Sequence, residues 1–260
     1  MDYPRPITPA GHIAPCPRRI RVVVDAQLLV DTCAASYVWE HSRFPRYYVP
    51  VADVAADALI DENVAVSTSL GAAKRFGLRT AGSAHPGALL VFSTGRLEGL
   101  ARVDPHLDAT WLEEDEQIFV HPRDPYVRVD ALRSTRTVRI ECDGVVLAES
   151  RAPIMVFETG LPTRHYLDST DVDFAHLVAS DTVTACPYKG ITSRYWSVRI
   201  GDTLHRDMAW CYDFPTRQLL PIAGMIAFYD ERVDVFVDGR RVVLPPQQTT
   251  APQTTAQQST

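Results

Sequence analysis

No stretch of this 260-residue sequence approaches the roughly eighteen uninterrupted apolar residues of a membrane helix, so no membrane partner is expected. Paired cysteines are missing as well. The five present, Cys16, Cys33, Cys142, Cys186 and Cys211, are odd in number and contain no C-x-x-C, which fits neither a disulfide framework nor a four-cysteine zinc site. There is no G-x-S-x-G elbow, no G-x-x-x-x-G-K-[ST] phosphate loop, no G-x-G-x-x-G and no H-E-x-x-H, so no metal and no cofactor are expected. Positive charge is in deficit, with 26 Lys+Arg against 32 Asp+Glu and a net charge of −6. That balance leaves no cationic face for a phosphate backbone and argues against a nucleic-acid partner. Residues 1–17 lack the basic-then-apolar order of a signal peptide, and a cytoplasmic location is the expectation. Lysine is nearly absent: Lys74 and Lys189 are the only two, so a lysine inside a motif stands out.

What is present suits a folded core. Hydrophobic residues make up 46% and charged residues 22%, and the 19 prolines against 13 glycines point to many strand ends and turns. The chain also contains itself twice. With an offset of 118, Val22–Val54 lies without a gap over Ile140–Val172, placing Asp25 on Asp143, Glu40 on Glu158, Arg46 on Arg164, Tyr48 on Tyr166 and Asp53 on Asp171. Farther on, with gaps, Asp108-Ala109-Thr110-Trp111 matches Asp207-Met208-Ala209-Trp210, and Val127-Arg128-Val129-Asp130 matches Val235-Phe236-Val237-Asp238. The organisation read from this is an N-terminal arm (1–17), a first copy (18–132), a second copy (133–244) and a Gln/Thr/Pro-rich tail (245–260) too polar to bury. A monomer with pseudo-twofold pairing of the copies, or a homodimer, follows as the expected assembly.

Within each copy the hydrophobic period is two. Val138-Arg139-Ile140-Glu141-Cys142-Asp143 alternates apolar and charged, the signature of a strand with one face in the core, and Asp143-Gly144 supplies the turn of a hairpin. Val233–Val237 alternates likewise and ends at Asp238-Gly239. One short helix is expected per copy, at Val51–Ile60 and at Val172–Leu177. The fold class is therefore mostly β: two tandem homologous compact antiparallel β domains.

Four blocks in the second copy occur in order: Val156–Leu167 (VFETGLPTRHYL), Cys186-Pro187-Tyr188-Lys189-Gly190, Asp207–Tyr212 (DMAWCY) and Ile222–Tyr229 (IAGMIAFY). In them the chain resembles the DUF427 family, a bacterial family of unknown function. The resemblance implies a curved β-sheet domain of the β-tent, Mss4-like, type. Some relatives on that fold bind zinc or reduce methionine sulfoxide, and this chain lacks their cysteine pairs. The first copy departs from the pattern: Thr68–Gly71 stands in place of the Cys-Pro-Tyr-Lys-Gly block and Glu116–His121 in place of the Ile-Ala-Gly block. His165 stands where the family pattern leads one to expect tyrosine.

The repeat sorts the candidate residues. Glu158, Arg164, Tyr166, Asp171 and Trp210 recur as Glu40, Arg46, Tyr48, Asp53 and Trp111, so each serves the fold twice or serves two equivalent sites. The simplest readings are a partly buried Glu158–Arg164 ion pair, Asp171 as a helix cap or first-turn acid, and the tryptophans as core. Asp171-Val172-Asp173 has the spacing of a magnesium-binding carboxylate pair, but an acidic first turn accounts for it. Histidines such as His165 and His205 read as satisfied structure.

Cys186, Tyr188, Lys189, Tyr195, Trp196 and Tyr212 belong to the second copy alone and are free to form a specialised site. They support a small-molecule site for a polar or anionic metabolite, walled by Tyr188, Trp196, Trp210 and Tyr212 and joined by Tyr166 and Tyr195. Arg164 and Lys189 are its charge partners and Glu158 orients them. They also support metal-independent catalysis, with Cys186 as nucleophile or acid/base, Lys189 lowering its pKa, and Glu158 and Tyr188 in proton transfer. Against both stands a non-catalytic structural or protein-interaction module, in which Cys186 is a buried hydrophobe and the aromatics fill a core.

Overall fold

The computed structural model describes residues 8–244; the tail read at 245–260 lies outside the described residues. The chain divides into two compact units, meeting in sequence at Tyr126 and Val127. Each contains a seven-stranded and a four-stranded antiparallel sheet with the same strand order. In the second unit the larger sheet runs Val129–Arg133, Ile154–Glu158, Arg164–Leu167, Ile226–Phe228, Thr203–Cys211, Arg194–Ile200, Leu177–Ser180. Its equivalent in the first unit runs Ile13–Pro15, Ser36–His41, Phe44–Pro50, Leu100–Val103, Ala84–Phe92, Gly71–Arg79, Leu59–Thr68. The small sheets are Val145–Ser150, Val138–Cys142, Asp234–Val237, Arg240–Arg241 and, in the first unit, Gln27–Thr32, Ile20–Val24, Thr110–Glu113, Glu116–Ile118.

The gapless repeat is thus one structure formed twice. Both copies bulge at the same place, between Val22 and Val23 and between Ile140 and Glu141. Both add the same isolated bridge, Val30 to Val54 and Ala148 to Val172. The hairpin after Val138–Cys142 turns through Asp143 (φ 50) and Gly144 (φ 76), both left-handed as a two-residue turn of this hand requires. Its counterpart turns through Asp25 (φ 49) and Ala26 (φ 61), placing a methyl group where glycine is favoured.

Strand alternation divides the second unit's core into two layers. Leu167, Trp196, Ala209 and Phe228 face the small sheet and pack with Ile140 and Leu147. Their chain neighbours Tyr166, Tyr195, Trp210 and Ala227 face the other way, under Leu219 and Ile222 of the 3₁₀ segment Arg217–Ile222. Burying each such large side chain contributes about 2 kcal/mol. Among the described residues no helix is long and apolar enough to cross a membrane.

Several expectations need adjustment. The helical segments wind as pairs of single 3₁₀ turns, Val51–Asp53 with Ala56–Ala58 and Ser169–Asp171 with Phe174–His176. In the second unit Asp168 and Asp173 accept from Thr170 N and Ala175 N, so an aspartate in mid-segment restarts the chain before an α-helical turn closes. Residues 13–15, placed in an N-terminal arm, pair with Ser36–Val38. Residues 129–133, placed at the end of the first copy, pair with 154–158 of the second.

The gapped equivalences are displaced. Register through Tyr48–Arg102–Leu90 and Tyr166–Ala227–Trp210 puts Leu90 at the place of Trp210. Trp111 lies on the small sheet opposite Val22, the place that Val235 takes opposite Ile140. Likewise Leu100–Val103, and not 116–121, answers Ile226–Phe228. Short apolar blocks match by composition, whereas register depends on partners far along the chain.

Candidate functional site

The candidate site lies on the second unit's aromatic layer, the one under Leu219 and Ile222. Cys186 and Gly190 are bridge partners in a two-stranded hairpin, Ala185–Cys186 with Gly190–Ile191, so the three-residue spacing from Cys186 to Lys189 folds back on itself. Thr216 pins this turn: its N donates to Lys189 O at 3.0 Å and its Oγ1 to Tyr188 O at 2.5 Å. Gly190 has φ +101, and an added Cβ would lie 3.5 Å from Phe214 O, so the turn sits close against the 213–216 loop. Lys189 is carried inward by this scaffold. Its Nζ donates to Glu158 Oε2 at 2.5 Å and lies 4.0 Å from Cys186 Sγ. Only 13% of the lysine side chain and 11% of the glutamate side chain remain exposed. Burial disfavours the ammonium, but the Cys186 sulfur, Glu158 and Tyr166 outweigh it and hold the lysine above its ordinary pKa.

Tyr166 is wholly buried beside this pair, and its Oη makes no hydrogen bond of ordinary geometry, with the Trp210 indole as its nearest donor. Burial pushes its hydroxyl up to about 12 against the opposing pull of Lys189 and the Trp210 indole. Tyr212 is raised by burial and by Tyr166 and Cys186. Tyr195 Oη bonds Tyr229 Oη at 2.7 Å and lies 3.3 Å from Thr184 Oγ1.

Glu158, Tyr166, Cys186, Lys189, Tyr195, Trp210 and Tyr212 therefore share one region. Tyr188 shapes the turn through its carbonyl. Arg164 joins only in part: its guanidinium stacks over Trp210 at 5.5 Å, but its donors go to Phe228 O, Asp230 and Glu231. The expected Glu158–Arg164 pair does not form, because Lys189 takes the carboxylate. Trp196 does not join. It follows Tyr195 directly in a strand and so faces the opposite layer, against Phe174.

Sequence reasoning missed Asp230, which is buried and lies 3.0 Å from His165 Nδ1 and 3.1 Å from Arg164. Its position directly after the Ile222–Tyr229 block was the available signal. It also missed a histidine–aspartate pair that occurs twice, His85 with Asp25 at 2.7 Å and His205 with Asp143 at 2.8 Å. The two histidines lie 120 residues apart, which hints at their equivalence. Asp171-Val172-Asp173 is committed locally: Asp171 ends a 3₁₀ turn and Asp173 caps the next.

The sequence profile of the domain of unknown function DUF427 matches residues 12–112 and again residues 130–239, most of the chain in two tandem hits. The chain belongs to the DUF427 family. No curated protein matches it. In this tandem DUF427 chain the cluster around Lys189 is specific to the second domain, since the first carries a plain turn at Ser69-Leu70 between Leu59–Thr68 and Gly71–Arg79. The first domain's glutamate has other partners. Glu40 Oε2 lies 3.3 Å from Arg102 and 3.7 Å from Arg46, and Tyr48 donates to Glu40 at 3.1 Å. Ala227 holds the place of Arg102, so the second domain obtains its cation from the hairpin instead.

Proposed function

We propose that the second DUF427 domain binds a small polar or anionic organic molecule at the Lys189–Glu158 pair, with Tyr166 as its buried hydrogen-bond partner and Trp210 and Tyr212 as apolar wall. One observation carries this reading. Tyr166 Oη is buried with no hydrogen bond of ordinary geometry and only the Trp210 indole beside it, whereas its counterpart Tyr48 donates to Glu40. Leaving a buried hydroxyl unmade costs about 1–3 kcal/mol, a cost that a ligand oxygen at this place removes. An ammonium carries three donors, and a ligand acceptor suits one that Glu158 does not take. Thermal-shift measurements of the full chain with carboxylates, phosphates and their uncharged analogues test it. The expected result is a rise in Tm that is lost in both Lys189→Ala and Tyr166→Phe; no rise with any of them, or a rise both variants keep, removes the reading.

The 4.0 Å approach of Lys189 to Cys186 favours a second reading, metal-independent chemistry with Cys186 as nucleophile or acid/base and Glu158 and Tyr188 moving protons. Iodoacetamide measures it, the sulfur displacing iodide from carbon. Cys186 is half-buried and Cys142 buried, so Cys186 is expected to react faster and to slow after Lys189→Ala. An inert Cys186 leaves a binding or scaffold role without catalysis.

A further inference from the structure

In the second domain, the end of strand Val138–Cys142, the hairpin turn after it and strand Thr203–Cys211 bring three different donor types together. The ligand atoms of Cys142, Asp143 and His205 all lie within 4.8 Å of one another. His205 Nε2 and Asp143 Oδ2 are 2.8 Å apart. The cluster lines a surface cavity of about 550 Å³ whose walls also carry Glu141, Asp230, Glu231 and Asp234.

The first domain provides an internal control. There the equivalent positions are Val24, Asp25 and His85, so the histidine–aspartate pair is present and the thiol is not. Asp25 also accepts from Thr80 Oγ1 at 2.7 Å, on the same oxygen that faces His85. Register through Leu78–His85 and Val198–His205 puts Ile200 at the place of Thr80, and isoleucine has no proton to donate. The second domain has thus lost a hydroxyl donor to its aspartate and gained a soft ligand beside it.

We propose that Cys142, Asp143 and His205 form a zinc(II) site, with its remaining coordination position open to the cavity. The donor set fits the ion: thiolate, imidazole and carboxylate are its usual protein ligands, and three of them with one open position is the arrangement of reactive zinc sites. Arg232 also lines the cavity, and its Nη1 donates to Asp207 O at 3.1 Å. None of Cys142, Asp143 and His205 belongs to the Lys189 cluster.

Equilibrium dialysis of the full chain, stripped with a chelator and returned to zinc, is the test, with cobalt(II) as the spectroscopic probe. The expected result is one zinc per chain and, in the cobalt form, a near-ultraviolet thiolate-to-cobalt band. Cys142→Val, which copies the first domain and so preserves packing, abolishes that band, and both it and His205→Gln weaken zinc binding by at least about tenfold. His85→Gln leaves binding unchanged. No stoichiometric zinc, an unchanged affinity in Cys142→Val, or an equal loss in His85→Gln overturns the site.

Discussion

Glu40 and Glu158 hold the same place in the two domains, and the difference between them shows how one fold pairs the same carboxylate with cations from different elements. In the first domain Arg102, on a strand of the large sheet, faces Glu40, and Tyr48 completes the cluster. All of these groups belong to regular strands; Tyr48 donates to Glu40, while Arg46 Nε and Arg102 Nε stay buried without a hydrogen bond. In the second domain the strand offers Ala227 instead, and the cation comes from the 185–191 hairpin as Lys189. The glutamate turns to the lysine, and Tyr166 Oη is left with the Trp210 indole beside it and no bond like that from Tyr48 to Glu40. Moving one positive charge from strand to loop keeps the ion pair and separates the tyrosine hydroxyl from the glutamate.

The comparison breaks most readily at the cation. Lys189→Ala leaves Glu158 buried without a counter-charge and is expected to cost about 3 kcal/mol. Arg102→Ala leaves Glu40 with Tyr48 and Arg46 and is expected to cost about 1 kcal/mol. Urea unfolding of the full chain measures both, and hydrogen exchange in Arg164–Leu167 and Phe44–Pro50 assigns the loss to its domain. Equal costs would remove the distinction between the two sites.

A sharper contrast has opposite signs. Tyr166→Phe removes a buried hydroxyl that makes no hydrogen bond of ordinary geometry and is expected to stabilise the ligand-free protein by about 1 kcal/mol. Tyr48→Phe deletes the bond to Glu40 and is expected to destabilise by about 1 kcal/mol. A loss of stability in both would mean that Tyr166 Oη is satisfied in solution.

The smallest effect concerns the shared hairpin. Ala26→Gly relieves a left-handed alanine and is expected to gain about 0.5 kcal/mol, after the added flexibility of the unfolded chain is subtracted. Gly144→Ala introduces the same conformation into the second domain, and nothing lies within 4 Å of the added Cβ, so its expected cost of about 1 kcal/mol is purely backbone. Thermal melts of the two variants, which should shift in opposite directions, check this.

Much of this protein was written locally. Alternation in Val138–Cys142, the Asp143-Gly144 turn and the gapless repeat depend only on neighbouring residues and their backbone preferences, so they specified two antiparallel β domains before any contact was known. Cys186 and Lys189 are likewise neighbours in one short block of sequence. What the sequence did not contain was which side-chain ends meet. Glu158 lies six residues from Arg164 yet bonds Lys189, 31 positions away, and His205 reaches Asp143 across 62. Trp196 and Trp210 both sit in aromatic-rich strands, but a one-residue difference in parity sends them to opposite faces. Such meetings depend on the order and register of strands distant in sequence, each fixed by the packing of a whole sheet. Short-range chemistry therefore determined the elements and the repeat, and tertiary register alone decided the partners of Glu158, the burial of the Tyr166 hydroxyl and the convergence at Cys142.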